Sequence, residues 1–229
     1  MYKTIIRKQE FKTVGIVMIG TFAPAMFQPL WFGKNGILNE DDVNNIAKKE
    51  TPNIAVLRDI STFETEQFYF NIQRERFEVI AQKEPFCTLR DAVCSILSCL
   101  PSTPISAFGI NVSAHFELNS KKNYQKFGDI LAPKSRWKTL LGKNITGEER
   151  KGGLLSLKMN IQEPDKKGSK TVLVEVSQKI KNNGVFLSLN DHFVCNEETS
   201  ECAASLISKN FDSSDLFFDD VKKELFSDE

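Results

Sequence analysis

The sequence predicts an α+β protein whose mainly antiparallel sheet carries its helices on one face. Three observations carry this expectation. Residues 108–118 alternate Phe108, Ile110, Val112, Ala114, Phe116 and Leu118 with Gly109, Asn111, Ser113, His115 and Glu117, the period-two pattern of a strand with one buried face. Residues 182–184, Asn-Asn-Gly, are a hairpin signal between two β-rich runs, so neighbouring strands are antiparallel. Leu89, Val93, Ile96, Leu97 and Leu100 recur at helical spacing, and so do Ala203, Leu206 or Ile207, Asn210 or Phe211, Ser214, Phe217 or Phe218, Val221 and Leu225, which gives two amphipathic helices to cover the sheet.

Taken in order, 14–22 is a continuous, β-branched run suited to a buried strand. The stretch FAPAMFQPLWFG, 22–33, reads as an aromatic loop because of its prolines. A polar start followed by acidic residues predicts a short helix over 38–47. Strands are expected over 54–62 and 67–81, the second long enough to need a bulge. A helix at 86–100 ends at Pro101-Ser-Thr-Pro104, the best linker candidate, because two prolines stop a helix and exclude a central strand. After the alternating strand come a helix at 121–131, a short turn or helix at 133–141 and a polar loop at 142–153. Strands follow at 154–162, 170–180 and 184–193. A helix of more than twenty residues closes the chain, opened by Asn196 or Thr199 as N-cap.

This order divides the chain into two units, 1–100 and 105–229, which are also compatible with one continuous domain. Each runs strand, irregular or helical connection, antiparallel strands, helix, and Gly15-Ile16 and Gly109-Ile110 recur at an offset of 94 residues. The order resembles the TATA-binding-protein-like architecture, a likeness of topology that carries no function. The strand PISAFGINVSAHFEL, the following FGDILAPKSRWKTLL and the late GVFLSLNDHF resemble an uncharacterised bacterial protein family. That resemblance lies mainly in 104–226 and implies no catalytic residue, since the family is of unknown function.

Composition is that of an ordinary globular chain, 41% hydrophobic and 26% charged, with thirty basic and thirty acidic residues cancelling. No whole-molecule field steers it toward nucleic acid or an anionic membrane. Locally, 121–151 holds nine Lys/Arg against three acids, and 212–229 holds seven acids against two lysines. Five cysteines without a CxxC pair argue against a disulfide framework and for a reducing compartment, where they read as small buried hydrophobes. The basic residues before the run 14–22 imitate a secretory signal, but Glu10 and the shortness of the run oppose it, and no run approaches a membrane span. A cytoplasmic protein is expected.

The candidate sites follow from these segments. A chargeless run containing Met26, Phe27, Leu30, Trp31 and Phe32 is the first candidate for a partner-binding surface, with the basic segment 121–151 beside it. His115 and His192 fall on the polar parity of their strands, together with Asn111, Ser113, Ser188 and Asn190. With Lys134, Arg136, Trp137, Lys138, Lys158 and Lys179 they form the candidate nucleic-acid interface, in which Trp137 stacks on a base. A metal would need a third ligand such as Cys195 or Glu117, and no pair has diagnostic spacing. Asp165 and Glu175 resemble the carboxylates of PD-(D/E)xK nucleases, although Ser177 stands where that motif has lysine and Lys179 comes two residues late. There is no GxSxG elbow, Walker-type loop or GxGxxG after a strand, and no cofactor is implied. The expected function is therefore a non-enzymatic interaction subunit with a protein partner; the alternatives are a nucleic-acid-binding module and a divergent magnesium-dependent nuclease.

Overall fold

The computed structural model describes residues 3–48, 54–137, 153–162 and 168–228. Its centre is a pair of long antiparallel strands, β2 (Ile6–Gly20) and β7 (Ile105–Leu118). On one side of β2 lie β6 (Arg76–Ala81), β5 (Phe68–Gln73), β4 (Ile60–Glu64) and β3 (Ile54–Val56). On the far side of β7 lie β10 (Gly184–Val194), β9 (Gly168–Val176) and β8 (Ser156–Ile161), which completes nine strands, all antiparallel. In each half the long strand pairs with the last strand of the meander that follows it. A separate two-residue pairing joins β1 (Lys3–Thr4) to β11 (Ser227–Asp228).

Two expected strands divide. The segment read as one strand over 54–62 turns at Leu57, whose N–H bonds the Ile60 carbonyl, and the segment 67–81 is a hairpin rather than a bulged strand. Both turns are polar, and an Arg74–Asp59 ion pair joins them, so charge at the tips ends each strand where apolar alternation alone would continue it. The aromatic loop is also more regular than its prolines suggest. Pro29 occupies the first turn of α1 (Pro29–Lys34), where its missing N–H costs nothing. The other helices are α2 (Glu40–Lys48), α3 (Cys87–Ser98), α4 (Lys121–Leu131) and α5 (Ser200–Phe226). Thr199 caps α5, accepting the Cys202 N–H at 3.1 Å.

All the core packing lies on one face of the sheet. Phe27 packs edge-on against Phe77, Phe32 packs on Phe63 and Phe70, and the last turn of α5 places Phe226 between Phe116 and Phe127. Phe27 and Phe32 are therefore core residues. That removes them from the expected partner-binding run, because a short helix on a sheet must bury one side. Met26 (42%) and Leu30 (55%) are the exposed members, and Trp31 is half-buried against Phe27. Burial also sorts the cysteines: Cys195 is buried, Cys94 and Cys202 are half-buried, and Cys87 and Cys99 are exposed, so only some behave as buried hydrophobes.

A single row of register partners crosses this covered face: Phe63, Phe70, Val79, Ile16, Ile110, Asp191, Lys170. Ile54 of β3 and Ile161 of β8 end the row, which is apolar except at Asp191 and Lys170. Asp191 and Lys170 are almost fully buried and form an ion pair at 3.3 Å; Ser214 of α5 donates to Asp191 Oδ2 at 2.8 Å, and Phe217 lies under the Lys170 ammonium at 5.3 Å. Removing one partner of such a pair takes a buried interaction from the other in a medium of low dielectric, whereas removing both does not. Asp191→Ala is expected to lose about 3–5 kcal/mol in urea unfolding, and Lys170→Met with Asp191→Leu to recover most of that loss. Equal losses from the single and double variants would contradict this account.

Candidate functional site

Among the described residues no helix packs on the opposite face of the sheet, and its side chains follow from strand parity. Next to the apolar row, on the other side of the pleat, runs Glu64, Tyr69, Ile80, Gly15, Asn111, Asn190, Thr171, Asn160. A second row holds Asn71, Glu78, Val17, Gly109, His192 and Ser169. Where they cross the central strands they line a depression of about 340 Å³, bounded by Arg76 and Ile80 on one side and by Asn111, Asn190 and His192 on the other.

Glycine is required at one point of its floor. A Cβ on Gly109 would stand 2.7 Å from Asn190 Nδ2, so the missing side chain lets the Asn190 amide lie across β7. That amide donates to Asn111 Oδ1 at 2.6 Å, and Asn111 in turn reaches the Gly109 carbonyl at 3.4 Å. Thr13 and Ser113 share a hydrogen bond at 2.9 Å further along the same two strands. Arg76 and Glu78 neutralise each other at 2.9 Å. The middle of the open face thus offers amides, hydroxyls and aliphatic carbons with no unbalanced charge.

One end of this face is closed by a ring cluster. Between Glu10 and Thr13, β2 has two residues opposite the single Ala114 of β7, a bulge that places Phe11 at φ 51°, in the left-handed region that disfavours a bulky side chain. Phe11 stands edge-on to His115 at 5.9 Å; Phe186 lies on the other side of the imidazole at 4.8 Å, and the Lys179 ammonium sits 4.9 Å over the Phe11 ring. The bulge also turns Lys12 to the covered face, where it pairs with Asp215 of α5 at 2.7 Å.

His115 and Ser177 are 2.8 Å apart, which raises the question of a nucleophile and its base. The hydrogen bonds answer it. Ser177 Oγ accepts the backbone N–H groups of Lys179 (3.2 Å) and Ile180 (2.9 Å), so its proton goes to His115 Nδ1 and the imidazole is neutral with its proton on Nε2. The nearest charged group acting on the ring is Lys179, not a carboxylate, and the pair is a buried tie between β7 and the end of β9. Sequence parity placed His115 on this face correctly but did not reveal that Phe11 and Phe186 bury it. The signal for Phe11 was weak, since a bulge leaves no residue-type mark when its left-handed position is not glycine.

The other expected residues are scattered. His192 lines the depression, Lys158 lies on the open face of the outermost strand, and Trp137 is exposed after α4. Lys134 is paired with Asp129 at 2.9 Å. Residues 138–151 of the basic segment, including Lys138, and Asp165 lie outside the described residues, as does the Arg136 side chain. Glu175 accepts from Ser156 Oγ at 3.0 Å, and among the described residues no three His, Cys, Asp or Glu side chains gather as a metal site. Burial pushes the Cys195 thiol up to about 12, which makes it a poor nucleophile. No helix among the described residues is long and apolar enough to cross a membrane. Comparison with protein-family models and with curated proteins finds no match.

Burial, reinforced by the Lys179 charge, lowers the His115 pKa below its ordinary value of 6.5. As the pH falls, the unfolded chain takes up this proton first. The contribution of His115 to stability is therefore complete above 6.5 and is lost as the pH falls through the lower folded value. In urea unfolding between about pH 7.5 and 5, the wild type is expected to lose stability more steeply than His115→Gln; parallel profiles would contradict this.

Proposed function

We propose that the protein is a non-enzymatic interaction subunit and that the uncovered face of its sheet docks a partner protein. The observation that carries this reading is the charge balance of that face. Among the described residues the helices lie on one side of the nine strands, and the centre of the other side is an uncharged mixture of Asn111, Asn190, Ser113 and Thr13 with Val17, Ile19 and Ile80. The cores of protein interfaces are depleted in charge, whereas nucleic-acid surfaces depend on Lys and Arg aimed at phosphates. Here Arg76 is neutralised by Glu78, and Lys158 and Lys179 stand away from the centre. Hydrogen-bonded neighbours hold the amides of the depression in place, which lowers the cost of ordering them on binding. Met26 and Leu30 form a smaller apolar patch on the helical side and are the part of the 22–33 run that remains available to a partner.

A photo-cross-linking residue placed at Val17, at Leu30 or at Lys209 on the outer side of α5 separates the surfaces in cells. Adducts of one discrete mass from position 17, absent from position 209, are the expected result. Adducts from position 30 alone would move docking to α1, and adducts sensitive to nuclease but not to protease would replace the protein partner with nucleic acid.

A further inference from the structure

The sheet has two edges, and they differ. One ends in β3, three residues long; the other ends in β8, six residues paired to β9 without a bulge from Ser156↔Glu175 to Ile161↔Lys170. Natural edge strands are blunted by brevity, by proline, by bulges or by several charges. Strand β8 has a single charge, Lys158, and no proline. Its pleat also puts Leu157, Met159 and Ile161 on the same side of the sheet as the helices, where Met159 is 55% and Ile161 39% exposed. Among the described residues nothing pairs with the outer side of this edge, and apolar side chains exposed on the otherwise covered face are what a neighbouring strand would bury.

The backbone of β8 states what that neighbour must offer. The Val176 N–H bonds the Leu155 carbonyl, so residues of odd number in this strand turn their backbone groups toward β9. Ser156, Lys158 and Asn160 therefore turn theirs outward. A second β8, antiparallel and centred on Met159, meets all these demands at once. Lys158 of each copy lies opposite Asn160 of the other and exchanges backbone hydrogen bonds with it. Leu157 lies opposite Ile161, and Met159 faces Met159 as the closely spaced non-hydrogen-bonded pair. Apolar residues meet on one face, polar residues meet on the other, and no like charges are opposed; centring the pair on Lys158 would instead set two ammonium groups against each other.

We propose that two copies of this chain associate through β8 in this register, joining their nine-stranded sheets into one of twice the width. This edge is distinct from the open face, and the proposal stands independently of the docking reading. Each copy keeps its uncovered face, and the pair presents two of them related by a two-fold axis.

Sedimentation equilibrium of the chain is expected to give twice the 25.9 kDa monomer mass. Met159→Glu opposes two carboxylates at the axis and Lys158→Pro removes only an outward N–H; each is expected to give the monomer with an unchanged circular dichroism spectrum. The register has its own test: Met159→Cys is expected to form an intermolecular disulfide on mild oxidation, and Lys158→Cys is not. A wild-type monomer at about 100 μM, where even weak specific pairs associate, would overturn the proposal, as would a dimer that survives Met159→Glu. If Lys158→Pro fails to fold, the Met159 variants decide alone, because that side chain is already exposed.

Discussion

Everything in this structure depends on the pairing of β2 with β7. The two strands are 15 and 14 residues long, and Val14, Ile16 and Met18 lie beside Phe108, Ile110 and Val112 with no exposure to solvent. A one-residue slip would turn that whole set toward water, so the register is held by burial rather than by any turn. Each long strand then recruits its own meander on its free side. Because both meanders share one pleat with the central pair, the described helices of both halves cover the same face, and among the described residues no helix packs on the face opposite.

The two faces are held by different physics. The covered face is a largely apolar layer that also holds the Lys12–Asp215 pair and, most deeply buried, the Lys170–Asp191 pair that Ser214 ties to α5. Such a pair adds little net stability over an apolar substitute, but it makes sliding of α5 costly, because any shift takes a buried interaction from a charge. The open face is held by short-range hydrogen bonds between neighbours, Asn190 to Asn111 and Thr13 with Ser113, and by the Phe11 bulge at its end. A left-handed phenylalanine costs of order 1 kcal/mol, and here its contacts with His115 and Lys179 offset that cost. The hydroxyl–imidazole pair of this face, Ser177 with His115, has its hydrogen bonds committed to holding strands together.

Much of this was legible in the sequence where one force decided the outcome. Alternation over 108–118 located β7, Asn182-Asn-Gly184 located the turn into β10, where Asn183 has φ 53°, and Thr199 was one of two capping candidates for α5. What could not be read depended on contacts distant in sequence. Pro29 was legible as a breaker but not as the first residue of α1, because that choice depends on Phe32 finding Phe63 and Phe70. Asp191 lies on the apolar parity of β10, where Lys170, its register partner on β9, and Ser214 of α5 stabilise its burial. Parity identified the polar residues of the open face, but the depression depends on Gly109 lying opposite His192 and beside Asn190, a consequence of register alone.

We propose that the pairing of β2 with β7 binds both halves into one cooperative unit, on which the proposed docking face depends. Amide hydrogen exchange measured under increasing urea tests it most directly, because it resolves the opening free energy strand by strand. The account predicts that amides of β6, β2, β7 and β10 share the highest opening free energy and converge on the global value together. Exchange of β6 through an opening that leaves β7 and β10 protected would show two independent units and contradict it.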